Sequence, residues 1–138
     1  MTKDEIITKA QTLKDAYTKR RINSDWEISG TLLTPAEAAA DSLLKWYGVV
    51  SSRLTLDEGQ QLCGLCELYW GCVRGGGCPG CPLEAAGFGC LTTDSVWEQF
   101  DRAVSCKDLT NAKQLAVRMY DQVYEVCSKI IVDHEETK

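Results

Sequence analysis

The sequence predicts a mainly α fold: a four- or five-helix assembly with a cysteine-rich zinc-binding loop. Three observations predict it. Apolar residues recur at spacings of three and four along much of the chain, which places them on single helical faces. Helix-start signals precede several of these runs, and no stretch has the alternating pattern of a half-buried strand. The glycines and prolines are concentrated in one cysteine-bearing region. With 138 residues, the chain is expected to form a single domain, 1–138, with the metal loop at about 63–90. A domain of that size buries roughly two thirds of its unfolded surface, so it can build a core without cross-links.

Residues 3 to 21 carry Ile6, Ala10, Leu13 and Tyr17 on one face of a first helix. The run Lys19-Arg20-Arg21 closes it, where positive charge complements the helix dipole. A link from Asn23 to Gly30 follows, with Trp26 and Ile28. The second helix is the best marked. Thr34 stands at the N-cap, Pro35 at the first helical position and Glu37 completes a capping box. Ala36, Ala40, Leu43, Tyr47 and Val50 form its predicted stripe, and its end is expected near Arg53. Thr55 and Glu58 make a second capping box, which suggests a helix over Leu56 to Trp70. Helical pattern returns at Thr92, with Val96, Phe100, Ala103 and Val104 on one face and Trp97 beside them. After a short turn, Lys107 to Leu109, Thr110 is placed to cap a last helix. Its stripe is Ala112, Leu115, Met119, Val123, Val126, Ile130 and Ile131.

Gly71 to Gly89 differs in kind, holding seven of the eleven glycines and two of the three prolines. Such a segment has little regular structure of its own, and its cysteines are the means of ordering it. The spacing is Cys63-x2-Cys66, then Cys72, then Cys78-x2-Cys81, then Cys90. Zinc takes four thiolates in a tetrahedron, and each CxxC pair brings two sulfurs to one metal with little backbone strain. Cys63, Cys66, Cys78 and Cys81 are therefore the expected metal ligands. Cys72 and Cys90 lie close enough in sequence to replace one of them. An iron–sulfur cluster is the alternative cofactor, since it is also held by four thiolates, but its common run with three cysteines at x2 spacing is missing. Thiol redox chemistry at Cys63-Gly64-Leu65-Cys66 lacks the βαβ context it needs. A disulfide framework is disfavoured by the absence of a secretory leader at Met1 to Glu5. Cys106 and Cys127 fall outside the cluster and read as core thiols.

The run Cys63-Gly64-Leu65-Cys66, then Cys78-Pro79-Gly80-Cys81-Pro82-Leu83, then Gly89-Cys90 resembles that of small, largely uncharacterised bacteriophage and prophage proteins. Their pattern is a CxxC pair, a C-x2-C-P-L element and a later Gly-Cys, followed by a helix with an aromatic near its start, matched here by Trp97. The resemblance covers about residues 54 to 130. It implies a phage protein acting in a bacterial cytoplasm, and no settled activity.

Catalytic signals are weak. His134 is the only histidine, so a cysteine–histidine nucleophile pair would depend on it alone. No phosphate-binding glycine loop of the G-x-x-x-x-G-K-[ST] type occurs. The zinc-deaminase arrangement is incomplete, with Pro79 inside the second CxxC and no H-x-E before it. Glu67 and Glu84 read as solvated carboxylates, and Arg74 as a screen for the charge of a four-thiolate site. The net charge of -5 opposes general nucleic-acid binding. No run approaches the length of a membrane span. The expected function is a small zinc-stabilised helical interaction protein, phage-encoded and cytoplasmic, binding or inhibiting a host protein. The alternatives are a nucleic-acid-associated zinc module and an iron–sulfur or thiol redox protein. Trp26, Trp46, Trp70 and Trp97 would mark a binding face if two or more were exposed together.

Overall fold

A computed structural model of the chain describes residues 2–22, 34–56 and 95–136, without the side chains of 20–22 and 134–136. Four helices lie within them: α1 (Lys3–Ile22), α2 (Pro35–Val50), α3 (Val96–Ser105) and α4 (Leu109–Glu136). No strand occurs among the described residues. The expected link at 23–30, most of the helix expected over 56–70 and the glycine-rich region lie outside the described residues.

Thr2 precedes α1, and its hydroxyl oxygen accepts the Glu5 N–H at 3.2 Å. Ile6 and Ala10 are buried and Leu13 and Tyr17 half-buried, so the predicted face is the one that packs. The basic run falls in the last turn. Lys14 reaches Asp41 of α2 at 3.2 Å, a part-exposed pair contributing less than about 1 kcal/mol.

α2 starts as predicted. The Thr34 hydroxyl accepts the Glu37 N–H at 3.2 Å, and the Thr34 N–H donates back to the Glu37 carboxylate at 3.1 Å. Packing then departs from a simple stripe. Ala36, Ala38, Ala39 and Ala40 are all buried, as are Glu37 and Ser42. Small side chains here let α1 and α4 both approach α2. Further along, Trp46 and Val49 are buried, whereas Tyr47 is half-buried and Val50 is 37% exposed. Ala36, Ala40 and Leu43 are buried as predicted, but Tyr47 and Val50 are each one residue late, and one residue is about 100° around a helix.

α2 stops at Val50, earlier than the expected Arg53. Ser52 takes a left-handed φ of 64°. Its N–H donates to the Val49 carbonyl at 3.2 Å, and the Arg53 N–H donates to Gly48 at 2.8 Å. That crossed pair satisfies carbonyls the helix end would leave bare. The Leu54 side chain folds back over Gly48, so that a β-carbon there would stand 2.8 Å from it.

α3 is capped by Ser95, which accepts the Glu98 N–H at 3.1 Å, and it ends by the same device. Lys107 has φ 60°. The Lys107 and Asp108 N–H groups donate to Val104 and Ala103 at 3.0 and 2.9 Å. The N-cap of α4 is Asp108, not the expected Thr110. The Asn111 N–H points to the Asp108 carboxylate at 3.4 Å, and an anion at this end also suits the dipole. α4 buries Ala112, Leu115, Ala116, Met119, Val123, Cys127 and Ile131, while Val126 and Ile130 are only partly covered. It packs against all three other helices. The centre of the core is Trp46 edge-on to Phe100, centroids 5.0 Å apart.

Candidate functional site

The proposed ligands Cys63, Cys66, Cys78 and Cys81 lie outside the described residues, with Cys72, Cys90, Glu67, Arg74 and Glu84. What the structure places is their frame. Leu54 and Leu56 pack against the core just before that region, and Ser95 caps α3 just after it. Both flanks are thus held by the helical body. Among the described residues, no three His, Cys, Asp or Glu side chains come together to hold a metal.

The two remaining cysteines separate. Cys127 is fully buried in α4, as expected of a core thiol. Cys106 is exposed, which overturns its assignment to the core. It occupies the C-cap of α3, where the chain leaves the helix toward Lys107. A cap position at a tight reversal points away from the packed face. A cavity of about 290 Å³ adjoins it, lined by Gln99, Arg102, Asp108 and Asn111. Arg102 is already paired with Glu98 at 2.9 Å.

Trp46 is in the core and cannot contribute to a binding face, and Trp97 is half-buried against the core. Trp26 and Trp70 lie outside the described residues. Three tyrosines, half-buried like Trp97, form a row. Tyr47 and Tyr120 have centroids 6.2 Å apart, and Tyr120 and Tyr124 6.0 Å. Cations close both ends of the row, with Lys3 5.1 Å from the Tyr124 ring and Arg53 5.7 Å from Tyr47. Burial raises the Tyr120 pKa above its usual 10.0, and the neighbouring Tyr124, Tyr47 and Asp121 push it the same way.

Beside this row, the turn after α2 and the first half of α4 enclose a groove of about 380 Å³. Val49, Val50, Leu54, Leu56, Ala116 and Val117 supply its apolar lining, and Lys113 its charge. Val50 and Val117 are 37% and 45% exposed. The pattern reading missed this groove because it scored only the buried stripe of each helix. The available signal was Val117, an apolar residue outside the predicted stripe of α4. No described helix is long and apolar enough to cross a membrane. No family model, curated protein or solved structure matches the chain.

Proposed function

We propose that this chain is a small zinc-stabilised helical interaction protein, encoded by a phage and binding a host protein in the bacterial cytoplasm. The observation that carries the reading is the paired spacing of Cys63, Cys66, Cys78 and Cys81. Four thiolates make a complete donor set for a closed tetrahedral zinc site, which stabilises structure and leaves no open position for substrate. Both flanks of that region are anchored on the helical body, which suits a site that orders a surface segment. The acidic charge and the phage resemblance favour a protein partner over a nucleic acid.

The test is metal content and visible absorbance of protein purified without oxygen and without added metal. One zinc per chain and no iron absorbance is expected. Iron and sulfide with a broad visible band would replace this reading with cluster chemistry, which the same four thiolates can support. Cys81→Ser should lose the metal, and Cys127→Ser should retain it because Cys127 belongs to the core. Full metal in both variants would refute the ligand assignment.

A further inference from the structure

We propose that the groove between the turn after α2 and α4 is a docking site for a short apolar segment with acidic flanks, supplied by the partner protein. The inference rests on the interaction reading above and names the surface and the chemistry of what it receives. The floor is apolar and open: Val50 and Val117 are exposed, with Ala116 beneath and Leu54 and Leu56 at one side. Helical and extended segments fill such grooves with aliphatic anchors.

The rim supplies the second argument, charge complementarity. The chain carries -5 overall, yet among the described residues the charged group lining the groove is the cation Lys113. Arg53 stands between the lining residues Ser52 and Leu54, with its guanidinium over Tyr47. Among the described residues, neither cation makes an ion pair and no carboxylate lines the groove. A local reversal of sign around an apolar floor selects carboxylates beside apolar anchors, and it rejects a basic segment.

The two exposed positions allow a test that leaves the fold intact. Full-length protein is titrated with a labelled peptide carrying leucines at helical spacing and glutamates on both sides, and with the same peptide bearing lysines instead. Binding of the acidic peptide is expected, weakening with salt, with the lysine version about tenfold poorer. V117D and K113E, checked for native helical signal, should each weaken acidic-peptide binding about tenfold. Equal binding of both peptides, or unchanged binding by both variants, overturns the proposal. A photo-crosslinker at position 117 supplies the independent arm in host lysate. Attachment to an acidic-apolar segment of one host protein supports it. Attachment to a second copy, or to another part of the same chain, overturns it. A host partner captured equally well by V117D and K113E would overturn the groove while leaving the interaction function standing. Failure to find any partner by any route would remove that function itself.

Discussion

Trp46 shows how one residue can stabilise a core and strain it together. It is fully buried against Phe100, and its bulk contributes several kcal/mol of burial and packing. Its indole N–H is buried without a hydrogen-bond acceptor among the described residues, and such a donor costs about 1–3 kcal/mol. The two effects oppose each other. Trp46→Phe removes the unsatisfied donor and keeps an aromatic ring, so its cost in urea unfolding should stay below about 1.5 kcal/mol. Trp46→Ala removes both and should cost about 3–5 kcal/mol. A Trp46→Phe loss as large as the alanine loss would mean that the indole N–H has a partner. Sequence gave Trp46 no such place, because a tryptophan's burial is decided by the neighbours that meet it. The predicted stripe of α2 holds at Ala36, Ala40 and Leu43 and drifts by one residue at Tyr47 and Val50. A run containing Ala36, Ala38, Ala39 and Ala40 has too little side-chain contrast to fix the angle of a helix face.

At the scale of the element, the start of α2 was legible and its end was not. Thr34, Pro35 and Glu37 announce α2 by side-chain chemistry that acts within four residues, and the capping box forms as expected. The ends of α2 and α3 use left-handed Ser52 and Lys107, where glycine is the usual signal. A side chain in that conformation costs about 1–2 kcal/mol relative to glycine. Lys107→Gly should therefore stabilise the chain by about 1 kcal/mol, read as a rise in Tm of roughly 3–5 °C. No rise, or a fall, would show that the Lys107 side chain makes a compensating contact. Displacement of the α4 cap from Thr110 to Asp108 has the same origin. The end of α3 and the start of α4 share Asp108, so the junction is set by two helices at once.

At the scale of the whole molecule, the described helices pack on one another directly. Among the described residues, the core is built from α1, α2, α3 and α4, and Cys127 is the cysteine within it. The described helices share one buried interior, while Cys63, Cys66, Cys78 and Cys81 lie outside the described residues. Metal removal by a strong chelator should lower Tm while preserving most of the far-ultraviolet helical signal. Collapse of that signal would mean that the body itself depends on the metal. The mainly α class was legible because long amphipathic runs report it directly. The proposed ligand set rests on spacing alone, since thiols meet at a metal through the path of the chain between them. Cys106 was misassigned for a related reason: an apolar residue type at a reversal belongs to neither face.

The junction of α3 and α4 has a kinetic consequence. Only Cys106, Lys107 and Asp108 separate those helices, so they can meet by a local search. α2 must find α4 across the whole of residues 57–94. Closing a loop costs free energy that grows with the logarithm of its length, so the α2–α4 encounter is the slower event. A tie formed within that stretch shortens the distance to be searched. A site between Cys63 and Cys81 would then act on the folding rate, before it contributes anything to the finished structure.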